Sequence, residues 1–136
     1  MKTQLIRNIS AALLAAVSIY AQGSQKLTVQ VPFGFHVGDT MLPSGEYTVD
    51  TDVAPSVVRL RSADSKSSAM ILTIPVQTLD TPSIGKLVFN KYGDEYFLSQ
   101  VWKPGYNTGS ELRKTRIETE VAANARRARE SIMAAR

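Results

Sequence analysis

The chain has no cysteine, a single histidine and a single tryptophan. Without thiols it forms no disulfide, zinc-thiolate site, iron–sulfur cluster or covalently attached c-type haem. It also lacks the cysteine through which exported lipoproteins are anchored. Long apolar runs are missing too. The longest, Ile9 to Ile19, is broken by Ser10 and Ser18 and reaches about half of the roughly 20 residues that cross a bilayer. Phosphate-cradling loops are absent, because Gly34 and Gly38 are followed by no Gly-Lys-Ser or Gly-Lys-Thr. No nucleophile-elbow sequence is present.

An excess of one charge is missing from the body of the chain. From Gln22 to Gly109 seven Lys and Arg face eight Asp and Glu, whereas from Ser110 to Arg136 seven face four. The net charge of +4 therefore comes mostly from the tail. Acids mixed into that tail dilute its field, so nucleic acid is not an expected partner. With 43% hydrophobic and 21% charged residues the composition is that of one globular domain rather than a disordered chain.

Residues 1–23 read as a secretory signal peptide. Lys2 and Arg7 supply the positive start, Ile9–Ile19 the short apolar core, and Ala21 or Gly23 a small residue for cleavage. No second run of membrane length follows. The expected mature protein is exported, periplasmic or extracellular, with no membrane span after cleavage.

Residues 24–109 read as a β-domain. Leu27, Val29, Val31, Phe33, Phe35 and Val37 alternate with Thr28, Gln30, Pro32, Gly34 and His36, the pattern of a strand with one buried face. At about 3.3 Å per residue such a strand would span about 36 Å, longer than usual. Pro32 cannot donate a ladder hydrogen bond, so a break or bulge is expected at Pro32–Gly34, with Phe33 and Phe35 central in the core. Gly38 to Gly45 reads as a turn or loop. Tyr47, Val49 and Val53 mark a second strand. Val57–Arg61 marks a third, with Val58 and Leu60 inward and Arg59 and Arg61 outward. Ala69–Val76 is apolar on both parities and fits a central strand covered on both faces. Lys86–Tyr92 and Glu95–Trp102 form a hairpin around Gly93-Asp94, and Lys103 to Gly109 closes the sheet. The sum is a mainly β fold, a single antiparallel β-sandwich or small barrel of about six to seven strands.

Residues 110–136 hold no Pro or Gly and read as a C-terminal α-helix. Ile117, Val121, Ala125, Ala128, Ile132 and Ala135 make its narrow apolar stripe, too alanine-rich to dock tightly.

Pro32-Phe33-Gly34-Phe35-His36-Val37-Gly38 and Leu42-Pro43-Ser44-Gly45-Glu46-Tyr47-Thr48-Val49 resemble an uncharacterised family of small exported bacterial β-domain proteins. Val101-Trp102 and Gly109-Ser110-Glu111-Leu112 are similar to it as well, and the resemblance covers roughly Val29 to Ala122. It implies an exported β-domain and no activity. One departure is Arg113, where that family has proline soon after Glu-Leu.

No residue set names a reaction. His36 lies on the polar face of its strand, with no nucleophile and no second imidazole implied by spacing. Asp50, Asp52 and Asp64 are oxygen donors of the kind calcium takes, although Asp-x-Asp on an outer face is ordinarily solvated. Glu46, Glu95 and Glu111 have no spacing that pairs them for glycoside hydrolysis. Arg59, Arg61 and Lys66 form an outward cationic set. Tyr92, Tyr96, Trp102 and Tyr106 cluster near the hairpin, where aromatic rings either fill a core or stack on a ligand. The sequence thus points to an exported, non-catalytic structural or interaction domain of the periplasm or cell surface, without cofactor, whose partner is another envelope protein. The alternative is a small β-domain that binds a saccharide or apolar compound through the Trp102/Tyr106 region.

Overall fold

The computed structural model describes the backbone of residues 12–15 and 26–134, and side chains from 26 to 126. Ten strands and one helix follow in order: β1 (Ala12–Ala15), β2 (Lys26–Val31), β3 (Phe35–Val37), β4 (Thr40–Leu42), β5 (Gly45–Asp50), β6 (Val57–Ser62), β7 (Ser68–Gln77), β8 (Lys86–Tyr92), β9 (Glu95–Trp102), β10 (Thr108–Leu112) and α1 (Arg116–Ala134). Strand order runs β1-β8-β9-β10-β7-β6-β5-β2, with β3 paired to β4 and β9. The first and last strands of that path do not meet, so the fold is an open sandwich rather than a barrel. Among the described residues, helix appears only after the last strand.

One strand belongs to both layers. Residues 68–72 of β7 pair with β6, and residues 73–77 pair with β10. The first sheet therefore holds β1, β8, β9, β10 and the second half of β7. The second holds β2, β5, β6 and the first half of β7. A strand that changes sheets in mid-course is one way a sandwich turns its corner.

The expected break at Pro32–Gly34 is present. Among the described residues β2 pairs only with β5, in the second sheet, and β3 pairs with β4 and β9 in the first. Pro32 ends the ladder, and a Cβ at Gly34 would lie 3.2 Å from the Met41 methyl, so the chain turns where a side chain has little room. Because β3 runs parallel to β9, with His36 opposite Phe97, the sheet is mixed rather than purely antiparallel. The Gly38-Asp39 segment, expected as loop, closes a hairpin onto the extra strand β4. Gly38 and Gly93 have φ of 61° and 62° and no following residue is positive, the signature of two-residue type II′ turns.

Inward positions obey the period of two. Leu27, Val29, Val31, Phe35, Tyr47, Val49, Val58, Leu60, Leu87 and Phe89 are buried. Phe35 meets Tyr47 and Phe89 edge to face at 5.3 and 5.4 Å. Phe33, expected beside it, is only half-buried and caps the core from one end, 5.1 Å from Phe89. The Tyr47 hydroxyl donates to the Pro43 carbonyl at 2.6 Å and ties down the corner that leads into β5.

Three expectations are corrected. Ala69–Val76 is not covered on both faces: Met70 and Leu72 are 59% and 72% exposed. One parity faces the core and the other is left open. The sheet does not end by Gly109, because Thr108–Leu112 pairs with β7 and β9; the helix starts at Arg116 rather than Ser110. Val53 lies outside any strand and is 39% exposed. Within the expected leader, Ala12–Ala15 pairs antiparallel with residues 87–90 of β8, and its other residues lie outside those described.

Candidate functional site

The four aromatic candidates do not converge. Tyr92 is buried on the outer face of the first sheet, its ring 5.8 Å from Phe97. Tyr96 lies on the opposite pleat, half-buried and stacked on Phe33 at 3.8 Å. The two-residue turn pairs Tyr92 with Glu95 and Lys91 with Tyr96, which sets the two tyrosines on opposite faces; further along, a bulge opposite Val88/Phe89, where β9 carries the extra residue Ser99, sets Trp102 on the face opposite Tyr96. Trp102 is 4% exposed, and its indole donates to the Gln100 side chain at 2.9 Å. Its ring lies against Gly109, where an added Cβ would come within 2.7 Å of it. Only Tyr106, 46% exposed, presents much of its ring outward.

The charged candidates are likewise tied into local structure. His36 stacks on Phe97 at 4.2 Å, and its Nε2 lies 2.8 Å from a Glu95 carboxylate oxygen. Asp50 is buried and accepts from Asp52 N–H and from the Arg59 guanidinium at 3.1 Å. Asp64 accepts from the Ser62 hydroxyl and the Lys66 backbone N–H, and these bonds hold its carboxyl below the usual carboxylate range. No group of three or more His, Asp or Glu among the described residues is placed to hold a metal ion. No described helix is long and apolar enough to cross a membrane.

Glu118 is the residue that sequence reasoning missed. It is 5% exposed, and its carboxylate accepts from the Tyr92 hydroxyl and the Asn90 amide, both at 3.0 Å. Thr115 caps the helix by accepting from the Glu118 N–H at 3.1 Å. This is half of a Thr-x-x-Glu capping box; the Glu side chain, instead of turning back to the cap, reaches across to β8. That Thr115-x-x-Glu118 spacing was the available signal. The helix therefore docks through a buried acid, and Ile117 of the expected stripe is 41% exposed. Val121 and Ala125 are half-buried; Ala128, Ile132 and Ala135 lie outside the described side chains. Burial, and then the bond and charge of Glu118, push the Tyr92 hydroxyl up to about 12.

Two features remain open. On the outer face of the second sheet, Met70 lies across from Arg59 and Leu72 across from Val57; Ile74, 38% exposed, continues the row along β7 into the first sheet, where it pairs with Glu111 on β10. Arg61 and Lys26 stand exposed on the same face, as the pairings Arg61–Thr48 and Lys26–Asp50 require. The apolar row thus adjoins Arg59 and Arg61 of β6, while Lys26 lies three strands away on β2, beyond Asp50. The second feature is a cleft of about 250 Å³ at the mouth of the sandwich, walled by β7, β9, β10 and the β5–β6 loop. Tyr106 and Lys103 stand at its rim, with the Lys103 ammonium 4.4 Å from the Tyr106 ring centre. Trp102 does not line it: Val101 and Lys103 do, and the residue between them points the other way.

Comparison with known proteins adds no template: no family model, curated protein or solved structure matches the chain.

Proposed function

We propose that this is an exported, non-catalytic interaction domain that docks an envelope protein on the outer face of its second sheet. The observation that carries the reading is the exposed row Met70, Leu72 and Ile74 on β7. The solvated face of an antiparallel sheet is normally polar, and contiguous exposed apolar residues mark interaction sites. Burying one such side chain contributes about 1.5–3 kcal/mol, enough for three to sustain a specific contact. Arg61 beside the row fits a partner whose apolar patch is rimmed by carboxylates. Export is supported by the Lys2–Gly23 leader pattern. The non-catalytic reading is supported by the surroundings of the sole histidine, which bonds Glu95 and no hydroxyl among the described residues.

The test is capture of envelope proteins by the immobilised mature chain, compared with Leu72→Glu and with Gln30→Glu on the far edge strand of the same face. The reading requires one retained protein that Leu72→Glu loses, that Gln30→Glu keeps, and whose retention weakens with salt. Equal retention by all three chains would overturn it.

A further inference from the structure

We infer that the cleft at the mouth of the sandwich binds a small polyhydroxylated anion of the sugar-acid class, through the Lys103 ammonium and a lining of hydroxyl groups. The site is distinct from the face proposed above and goes beyond that reading.

The inward faces of a sandwich are ordinarily apolar, and here they change character toward one end. Along β7 the inward positions run Ala69, Ile71, Thr73; along β10, read back from the helix, they run Leu112, Ser110, Thr108. Thr73 is 7% exposed, so a hydroxyl stands at a position that would otherwise hold a core side chain. Polar groups at inward positions are the informative exceptions to burial. Ser56 and Thr108 add hydroxyls to the wall. Hydroxyls both donate and accept, which suits a ligand made of alcohol groups.

The charge is single-signed. Lys103 is the only charged residue of the lining, and it makes no ion pair with a described carboxylate. Its position over the Tyr106 ring keeps the ammonium at the rim. A ligand that combines hydroxyls with one negative charge matches this set. A neutral sugar would leave the cation unanswered, and a bare anion would leave the hydroxyls unused.

The wall is also preformed. Ser56 has a φ of 60°, a left-handed conformation that few residues other than glycine adopt. It is held there by the Thr73 N–H, which donates to the Ser56 carbonyl at 2.8 Å, and by the Val57 N–H, which donates to Ala54 at 3.2 Å. Held backbone strain is found at ligand sites more than elsewhere. A cleft of about 250 Å³ that opens on solvent has room for one sugar ring. The ligand is then either a free sugar acid or the terminal unit of a polymer.

The test is calorimetric titration and amide NMR of the mature chain with glucuronate, a glucuronate-ended oligosaccharide, glucose and inorganic phosphate. Millimolar or tighter binding of glucuronate is expected, with shifts at Thr73, Lys103, Thr108 and Ser110, and with glucose and phosphate each at least about tenfold weaker. The oligosaccharide binding more tightly than the monomer assigns a polymer end; equal or weaker binding assigns the free acid. Lys103→Gln and Thr73→Val should each weaken binding about tenfold while the denaturation midpoint holds. Should Thr73→Val disturb folding, Thr108→Val at the rim serves in its place. Absence of binding, shifts confined to other residues, equal affinity for glucose or phosphate, or full affinity in Lys103→Gln would each overturn the assignment.

Discussion

On the outer face of the first sheet, Asn90 and Tyr92 lie under the first turns of α1, whereas Met70 and Leu72 on the outer face of the second stand 59% and 72% exposed. The covered patch is the more polar of the two. Its seal is a hydrogen-bonded acid, Glu118, set in place by a capped helix start. The bare patch is a row of aliphatic side chains with cations beside it. Apolar area alone therefore does not decide which face a chain covers for itself. Coverage here follows from where a helix can begin and what its first turn can bond. The open row is what remains when the only helix of the described chain is engaged elsewhere.

The comparison can be broken or sharpened in order of expected effect. Phe35 lies behind both faces and is fully buried, so Phe35→Ala should cost about 3–5 kcal/mol in chemical denaturation. A cost below about 1 kcal/mol would mean that the two sheets do not share the core described. Next comes Glu118→Ala, which strands the Tyr92 hydroxyl and the Asn90 amide without their acceptor; about 1–3 kcal/mol should be lost, with protection of the α1 amides against hydrogen exchange. Smaller again is an alkaline effect. The folded state holds the Tyr92 proton more tightly than the unfolded chain, whose tyrosines titrate near 10.0. That contribution is complete below about pH 10 and disappears as pH rises toward about 12. Tyr92→Phe should flatten the fall in stability over that window. It should not abolish it, because burial, and then the charge of Asp64, raise Tyr47 as well. The smallest effect belongs to the bare face: Leu72→Ser should change stability by no more than about 0.5 kcal/mol. A loss comparable to that of Glu118→Ala would show that something covers Leu72 in solution.

Much of the sandwich was legible because strands advertise themselves by parity. Val58 and Leu60 inward, Arg59 and Arg61 outward, the Gly93-Asp94 hairpin and the break at Pro32–Gly34 all follow from period, turn chemistry and a missing N–H. What could not be read is where parity is silent. Ala69–Val76 is apolar on both sides, and nothing in its composition tells a covered face from an open one. The Ser99 bulge reverses the faces of β9 without a glycine or proline to mark it, which sent Tyr96 and Trp102 to opposite pleats. Thr108–Leu112 has few strand formers and is a strand because β7 and β9 offer it two edges. The cleft is assembled from four separate segments, so no local spacing could have announced it.

The pairing of His36 with Phe97 sets a timetable for folding. The β8–β9 and β5–β6 hairpins join neighbours in sequence and need little chain entropy to form. The parallel contact between β3 and β9 closes a loop of about sixty residues and gains nothing until both ends have arrived. Its interactions, including His36 with Glu95, should be absent from the transition state and form on its native side. Truncating His36 should then accelerate unfolding and leave the folding rate almost untouched. A slowed folding limb in stopped-flow kinetics would place that closure early instead.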